Sequence, residues 1–337
     1  MSKIYIDYLS GADIEALQLT DQEILDAVEE GLRLQGMGKT RIWPREHLIP
    51  KDFSIGVMNV LRGYIDAPIN YSGVKIVSDF VGNYKYGLKS EMALLNLFDP
   101  DTGKPMAVMD AAAITDMRTG AVTALGAKYL ARKDSKILGH IGARGTSYWN
   151  VRLLNYFFDF EEIRVHSRRP ESRNAFGERL SKDLGKEIKV MDNWKDTLDG
   201  ADILVEATRM PKPEPLFKTE WVKKGALAMP YGVMSSLPLD FTDIMDMIVV
   251  DDLSQAQKGQ RGGALREHID CGKVNNDNIY AEMGEIVAGK KVGRTSDDQT
   301  ILFWHRGLSL SDIALGDAIL KKAKKLGIGQ KLLYANS

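Results

Sequence analysis

The hydrophobic and polar positions in the first third of the chain predict a mixed α+β unit. The alternation in KIYIDYL, residues 3–9, is typical of a strand. Thr20 and Glu23 predict the capping box of a helix, because apolar residues at helical spacing follow them. Further strands are expected in SIGVMNVLRGYI, in GVKIVSDFV and in the two halves of EMALLNLFDPDTGKPMAVMD, which a turn at 99–103 joins, and a long helix in AAAITDMRTGAVTALGAKYLAR.

From Lys136 onward, short apolar strands alternate with helices. The strands are expected in KILGHIG, EIRVHSR, EIKVMD, DILVEAT, GALAMPYG and MIVVDD. This alternation predicts βαβ units and a parallel sheet, so the fold class is α/β with a Rossmann-type doubly wound domain at residues 119–310. A last helix in SLSDIALGDAILKKAKKLGIG is expected to pack on the first unit, which makes a discontinuous mixed α+β domain of residues 1–118 and 311–337.

Composition and charge exclude several classes of protein. The 337 residues are 44% hydrophobic and 27% charged, with a formal net charge of −1, which gives no basic field for nucleic acid or an anionic membrane. We find no apolar run of membrane-spanning length, no secretory signal at the N-terminus, and a single cysteine, Cys271. A cytoplasmic location is therefore expected. No paired-cysteine or HExxH motif occurs, so no metal is expected.

The stretch KILGHIGARGTSYWN, residues 136–150, is typical of a dinucleotide-binding turn whose glycines are irregularly spaced. Gly139, Gly142 and Gly145 give G-x-x-G-x-x-G instead of G-x-G-x-x-G. In one register Gly142 ends the strand and Arg144 takes the second glycine position; in the other Gly139 makes the turn. A tight connection that binds no nucleotide is a third interpretation. The residues expected to hold pyrophosphate are Gly139, Gly142, Ala143, Arg144, Gly145 and Thr146.

The end of the second strand decides which cofactor is expected. An Asp or Glu at this point accepts hydrogen bonds from the ribose of NAD, whereas this chain has Ser167, Arg168 and Arg169. Arginine presents a planar fork of donors that matches phosphate oxygens. We therefore predict NADP(H) as the preferred cofactor, with NAD(H) possible; the alternative is a solvated basic patch at a helix start.

Several stretches resemble one known family over nearly the whole chain. They are WPREHL, GVKIVSDFVGN, LFDPDTGKPMAVMDAAAITDMRTGAVTALGAKYLAR, GADILVEAT and AEMGEIVAGKKVGRTSDDQTILF. The chain resembles the ornithine cyclodeaminase/μ-crystallin family, which includes alanine dehydrogenases and imine reductases. The resemblance implies that Arg45, Lys75 and Arg118 grip the substrate α-carboxylate. It also implies a homodimer paired through the N-terminal domain, which would then be the substrate-binding and dimerisation domain.

The residues themselves support a carboxylate site. Lys75 interrupts the apolar run GVKIV, and an unpaired buried ammonium is costly, so a bound carboxylate would supply its partner. Lys75 is accordingly counted among the candidate catalytic residues as well. The alternatives are a snorkelling lysine at a sheet rim, and for Arg118 a helix-surface ion pair with Asp110 or Asp116. Arg45 is interpreted as a loop residue.

Three departures from the family pattern affect the chemistry. Arg144 would crowd the pyrophosphate in the second glycine position. Met234, in MPYGVMSSLPLD, occupies the position of an aspartate that faces the substrate amine when Asp240 is aligned on the usual acidic position. Methionine accepts no proton, which favours reducing an imine over oxidising an amine. His305 is expected to take over acid–base work, the alternative being a buried hydrogen-bonded histidine.

Three further residues complete the expected cofactor contacts: Thr119, Thr208 and Trp304. For Trp304 the alternative is packing. The other histidines, His47, His140, His166 and His268, are interpreted as structural.

The sequence therefore predicts an NADP(H)-dependent oxidoreductase that reduces the imine of a small amino or imino acid. One alternative is ammonia elimination of the ornithine cyclodeaminase type with bound nicotinamide. Another is a non-catalytic small-ligand binding protein, as in the μ-crystallin branch. The sequence leaves the substrate side chain and the direction of reaction open.

Overall fold

A computed structural model of the chain describes residues 3–52, 54–143, 145–210, 212–232, 235–257 and 263–336. The chain divides into two compact units. The first contains the residues up to Arg118 and those from Leu308 onward, and the second runs from Thr119 to Gly307. The sequence predicted that the chain passes from the first unit to the second between residues 118 and 119 and returns between 310 and 311. The structure places the return between 307 and 308. The functions assigned to these two units stay predictions.

The first unit is built on a seven-stranded mixed sheet. Its elements are β1 Lys3–Leu9, α1 Gly11–Ala16, α2 Asp21–Gly36, β2 Thr40–Leu48, β3 Val57–Ile65, β4 Tyr71–Asp79, a 3-10 turn Val81–Tyr86, β5 Glu91–Phe98, β6 Pro105–Asp110, the start of α3 Ala112–Leu130, and, late in the chain, α10 Ser309–Leu326 and β15 Gln330–Asn336. The strand order is β15-β1-β6-β5-β4-β3-β2, and β1 and β6 are the parallel neighbours. The predicted capping box at Thr20 and Glu23 is confirmed.

Helix α10 lies directly on the inner face of this sheet, against β3, β4 and β5. Gly73 permits this approach, since a Cβ built at that position would lie 2.4 Å from Cγ1 of Ile313. Residues two apart on a strand share a face, so Lys75 points towards the same helix as Gly73. The packing of glycine against α10 therefore places a lysine inside the core.

Two strands of the first unit were not predicted. Arg45, expected on a loop, lies in β2, where the pairing with β3 shifts register between Trp43 and Glu46. Pro44 lies at this shift, and because proline cannot donate to the ladder it hides the strand pattern. Strand β15 is exposed on nearly all its residues, so it carries no alternation that a sequence pattern could show.

The second unit is an eight-stranded parallel sheet with helices between the strands. Its elements after α3 are β7 Ile137–Ile141, α4 Ser147–Phe157, β8 Glu162–His166, α5 Pro170–Leu184, β9 Lys189–Val190, α6 Trp194–Leu198, β10 Ile203–Glu206, β11 Leu227–Pro230, β12 Met247–Val250, α7 Leu253–Gln257, α8 Arg266–Asp270, β13 Ala281–Glu282, α9 Met283–Val287 and β14 Ile301–Trp304. The strand order is β13-β12-β14-β11-β10-β7-β8-β9.

This order confirms the predicted Rossmann-type fold. From β7 the chain moves outward through β8 and β9, then returns to add β10 and β11 on the other side of β7. The direction of winding reverses between β7 and β10, which is where ligands bind in doubly wound sheets. Strand β14, which the sequence did not predict, enters between β11 and β12.

None of the helices formed by the described residues combines the length and the apolar character needed to cross a bilayer.

Candidate active site

A cluster of three buried charges lies beneath α10 in the first unit. Lys75 Nζ donates to Oδ1 of Asp312 at 2.6 Å, and Arg118 Nε donates to the same oxygen at 2.8 Å. Asp312 and Lys75 are 0% and 1% exposed, and Arg118 is 5% exposed. Lys75 also donates to Oγ1 of Thr115 at 3.1 Å. Strand β4, helix α3 and helix α10 each contribute one charge, so only the folded chain assembles the cluster.

Two cations share one carboxylate here, which leaves an excess positive charge. Burial, and then the neighbouring Arg118, lower the pKa of Lys75 to about 8, although Asp312 acts in the opposite direction. Lys75 uses two of its three N–H donors, in hydrogen bonds to Asp312 and Thr115. Arg118 donates to Asp312 through Nε alone among the described residues, which leaves the N–H groups of its two terminal nitrogens. The remaining donors suit an incoming anion.

The partner of Lys75 corrects the sequence-based expectation. A bound carboxylate was expected to balance this lysine, but Asp312 of the same chain does so. The snorkelling alternative is wrong because Lys75 has almost no exposure. Arg118 pairs with Asp312, and not with Asp110 or Asp116 as the ion-pair alternative supposed.

The sequence analysis missed Asp312, although a signal for it exists. Asp312 lies three, four and seven residues before Leu315, Gly316 and Ile319, all of which are buried. An acidic residue on the apolar stripe of a helix must have a buried partner. That pattern could have linked α10 to the lysine in GVKIV.

Arg45 is half-buried in β2, and β3 separates this strand from β4, which carries Lys75. Its participation in binding a carboxylate stays a prediction.

Asp116 is a second titratable group close to the charge cluster. It lies on α3 between Thr115 and Arg118, and it is half-buried. Burial, and then the charge of Glu91, raise its pKa from 3.8 to about 7, although Arg118 and Lys75 act in the opposite direction. Asp116 therefore titrates near neutrality.

The glycine-rich turn follows the first of the two registers left open by the sequence. Gly142 directly follows β7 and has φ +112°, and a Cβ there would lie 2.6 Å from the carbonyl oxygen of Ala207. Gly139 lies inside β7, where a Cβ would meet the carbonyl oxygen of Thr197 in α6. The absence of a side chain at Gly139 therefore allows helix α6 to pack on the strand, and the cofactor contact expected for this glycine stays a prediction.

The rest of the turn leads into helix α4. Gly145 has φ +48°, Ala143 is half-buried, and Thr146 immediately precedes the first residue of α4. The free N–H groups at a helix start attract phosphate. Arg144, predicted to replace the second glycine, lies outside the described residues.

The three residues expected at the ribose lie at the end of β8, on the side of β7 opposite β10. Ser167 is half-buried, while Arg168 and Arg169 are exposed. Arg168 forms an exposed ion pair with Glu214 at 3.6 Å, an interaction that solvent screens. Both guanidinium groups are therefore accessible to a phosphate.

Thr208 follows β10 and is tied to a buried glutamate that the sequence analysis missed. Glu206 is 0% exposed and accepts hydrogen bonds from the Thr208 and Gly232 amides and from the Ser236 hydroxyl at 2.7, 3.1 and 2.8 Å. Burial raises the pKa of Glu206, even though these donors lower it. Glu206 therefore fixes the loops after β10 and β11. Met234, in the second of these loops, lies outside the described residues.

His305 follows β14 and is buried, at 1% exposure. Its Nε2 lies 3.0 Å from Oγ1 of Thr123, whose hydroxyl also contacts the carbonyl oxygen of Thr119 at 3.1 Å. Its ring centroid lies 4.6 Å from that of Tyr231. This is the geometry of the alternative stated above, a buried hydrogen-bonded histidine; acid–base work by His305 stays a prediction.

Tyr231 was not singled out from the sequence, yet it joins several predicted residues. Its hydroxyl lies 2.6 Å from Oγ1 of Thr146 and accepts a hydrogen bond of 2.6 Å from Asn150. The amide of Asn150 also lies 3.0 Å from Nε2 of His140. One hydrogen-bonded network therefore connects the start of α4 with the end of β11.

Trp304 lies in the hydrophobic core of the second unit and is 1% exposed. This burial favours the packing alternative, and stacking on a cofactor ring stays a prediction. Thr119 is also buried, at 5% exposure.

Comparisons with known proteins agree with this architecture. The model of the ornithine cyclodeaminase/mu-crystallin family matches residues 7–326. The alanine dehydrogenase of Archaeoglobus fulgidus is 32% identical over 329 residues, 97% of this chain and 98% of that protein. The Delta(1)-pyrroline-2-carboxylate reductase of Bacillus cereus is 29% identical over 266 residues, 78% of this chain and 80% of that protein.

Two solved structures share the fold over almost the full length. An archaeal alanine dehydrogenase dimer with bound NAD has a TM-score of 0.89 at 31% identity, covering 98% of this chain and all (100%) of that one. The Thermococcus litoralis Delta(1)-pyrroline-2-carboxylate reductase, in complex with NADH and L-proline, has a TM-score of 0.89 at 30% identity, with coverage of 97% and 100%. By sequence and by fold, the chain belongs to the ornithine cyclodeaminase/μ-crystallin family.

Proposed function

We propose that this protein is an NAD(P)(H)-dependent oxidoreductase that reduces the imine of a small amino or imino acid. The observation that carries the proposal is the buried Lys75–Asp312–Arg118 cluster, in which two cations share one carboxylate. A substrate carboxylate would supply the missing negative charge and accept hydrogen bonds from the unused N–H groups of Lys75 and Arg118. The alanine dehydrogenase and pyrroline carboxylate reductase relatives support this substrate class.

The second unit has the features that a nicotinamide dinucleotide requires. Its sheet reverses winding between β7 and β10, the backbone at Gly142 is too close to Ala207 for any side chain, and α4 starts directly after the turn. The residues from Gly142 to Thr146 would hold the pyrophosphate. When bound, the nicotinamide supplies the hydride that adds to the imine carbon.

The residues of this chain favour reduction over oxidation. Oxidising an amine requires a base that removes a proton from nitrogen. This chain has Met234 at the position where the family resemblance implies an aspartate. Reducing a protonated imine requires hydride and no base. Where the imine arrives neutral, the ammonium of Lys75, with a pKa of about 8, has the acidity needed to donate the proton.

We propose NADP(H) as the preferred cofactor, with NAD(H) as the alternative. Support comes from Ser167, Arg168 and Arg169 at the end of β8, where the two guanidinium groups are exposed. The solved relatives named above carry NAD and NADH, so the preference is a difference proposed for this chain. It is tested by comparing the Kd of NADPH with that of NADH before and after Arg168→Ala and Arg169→Ala.

We also propose a homodimer formed through the first unit. The outer face of its sheet exposes Trp43, Leu48 and Leu94 at 50%, 55% and 49%. Large exposed apolar side chains that share one face of a sheet favour an interaction surface. The archaeal alanine dehydrogenase relative is itself a dimer.

The function is tested by following NADPH and NADH oxidation with 2-oxo acids plus ammonia or methylamine, and with cyclic imino acids. We expect turnover with at least one imine, and its loss in Lys75→Met. Release of ammonia from a diamino acid without net cofactor consumption would favour the cyclodeaminase reaction. Tight NADPH binding without turnover on any imine would favour a binding protein, the alternative that the Arg144 and Met234 departures support.

A further inference from the structure

Asp312 joins two substrate-binding candidates through a single oxygen. Oδ1 accepts from both Lys75 and Arg118, while Oδ2 is buried and has no hydrogen-bond partner among the described residues. Buried carboxylate oxygens are normally satisfied. Packing alone does not require both cations on the same oxygen, so this arrangement points to a role in aiming the two side chains.

We propose that Asp312 is a positioning residue for the substrate carboxylate, which holds Lys75 and Arg118 in one geometry and keeps the Lys75 amine protonated at neutral pH. The inference rests on the proposed function for its ligand. Asp312 does not itself bind the substrate in this scheme. It acts through the two cations that do.

The charges around Lys75 show why Asp312 is needed for protonation. Burial and the adjacent Arg118 both favour the neutral amine, and Asp312 is the carboxylate in direct hydrogen-bond contact that opposes them. The other charged groups that act on Lys75 are Asp116 on α3 and Glu91 on β5; its strand neighbours are Leu61 and Leu95. Removing the Asp312 charge therefore shifts Lys75 towards its neutral form.

The test measures the Kd of L-proline and of pyruvate by calorimetry between about pH 6 and pH 9.5, using the full-length protein. In the wild type, affinity should fall above about pH 8, where Lys75 loses its proton. In Asp312→Asn this fall should begin about one pH unit or more lower. At about pH 6 the variant should bind about as tightly as the wild type, because Lys75 is protonated in both proteins and the Oδ1 atom of asparagine can still accept hydrogen bonds from Lys75 and Arg118.

Asp317→Asn is the matched control. Asp317 lies on the same helix, is 5% exposed, and pairs with Lys321 at 2.7 Å, so its loss disturbs α10 without touching the cluster. It should leave the pH at which affinity falls unchanged. Asp312→Glu should restore the wild-type position of the fall. Asp116→Asn identifies any contribution from Asp116, which titrates nearby.

Weaker binding by the same factor at every pH in Asp312→Asn would show a purely structural role and overturn the proposal. A fall at the same pH as in the wild type would overturn it as well. Should Asp312→Asn unfold near neutral pH, it should fold again above about pH 9 and in combination with Lys75→Met. Either change removes the Lys75 charge and so returns the cluster to the single excess positive charge of the wild type. Failure of both to restore folding also contradicts the proposal.

A second measurement separates this inference from the proposed function. A double-mutant cycle of Lys75→Met and Asp312→Asn, read from urea unfolding, should give a coupling that is present at about pH 6.5 and shrinks by about pH 9.5. If the wild type binds neither carboxylate, the proposed substrate class fails. The pH dependence of the coupling still decides whether Asp312 holds the proton on Lys75.

Discussion

Lys75 places an ammonium group where solvent barely reaches, against one carboxylate and beside one guanidinium. Water would stabilise this charge far better than a protein interior does, and its lowered pKa of about 8 reflects that loss. The nearby Asp116 shows the opposite shift for the same reason, since burial favours its neutral form. Residues with such shifts cluster at functional sites.

At the residue scale, we expect Lys75→Met to weaken carboxylate binding and kcat/KM by about 100-fold or more, because it removes a buried, hydrogen-bonded charge. Lys321→Met is the control, since Lys321 also pairs with a buried aspartate of α10 but lies outside the cluster. Steady-state kinetics on an imine that the panel described above shows to be a substrate provide the measurement. Equal losses in the two variants would contradict the assigned role.

Asp116 gives a pH-dependent prediction for stability. Its pKa is about 7 in the folded chain, against the ordinary aspartate value of 3.8 that applies once the chain unfolds, so between these pH values the folded state binds more protons. Its contribution to the free energy of unfolding is thus largest at low pH and is lost as the pH rises from about 4 to 7.

Urea unfolding of the wild type and Asp116→Asn at several pH values checks this. The stability of the asparagine variant relative to the wild type should rise across that window and level off above it. A difference that is independent of pH would show that the environment of Asp116 does not shift its titration.

At the element scale, the turn between β7 and α4 depends on backbone that no side chain can enter. Gly142 combines a positive φ with the close approach of Ala207, while Gly139 makes room for α6. The two glycines look alike in the sequence but serve different elements. Gly142 shapes the turn that leads to α4, whereas Gly139 allows a helix to pack on the sheet.

We expect Gly142→Ala to destabilise the fold by more than the ~1 kcal/mol that a left-handed backbone alone costs, and to weaken NADPH binding. Gly185→Ala provides the control, because Gly185 has φ +62° with nothing near the added Cβ. Urea unfolding and fluorescence titration give the two quantities. Similar losses of stability in both variants would argue against the close contact between the backbone of Gly142 and Ala207.

At the scale of the whole molecule, the first unit has one covered sheet face and one exposed face. Helix α10 covers the inner face, whereas Leu94, on the central strand β5, remains 49% exposed on the outer one. Together with the exposed Trp43 and Leu48, Leu94 gives this outer face an apolar character that favours an interaction surface. Pairing of two copies would bury it.

Leu94→Asp is therefore expected to convert a dimer to a monomer in light-scattering measurements. Leu326→Asp, at a similar exposure of 51% but at the end of α10, should leave the dimer intact. A monomeric wild type would refute the proposed assembly. Loss of the dimer in both variants would point to another surface.

Most of the elements could be predicted from the sequence because their apolar residues repeat with the period of a strand or a helix. The capping box at Thr20 and the alternating strands from Lys136 are examples. Strands β2 and β15 were missed because a proline at a bulge and continuous exposure remove that period.

The sequence by itself determined the family and the doubly wound sheet, and it singled out Lys75 and Arg118, the two cations of the buried cluster. Periodicity and local motifs depend on neighbouring residues and can therefore be recognised in the sequence. Only the tertiary structure decided that Asp312, 237 positions from Lys75, neutralises that lysine, and which glycine makes the turn. These outcomes depend on which segments come into contact and on how much water they exclude. Both are properties of the folded chain, in which burial determines how strongly charged groups interact with one another.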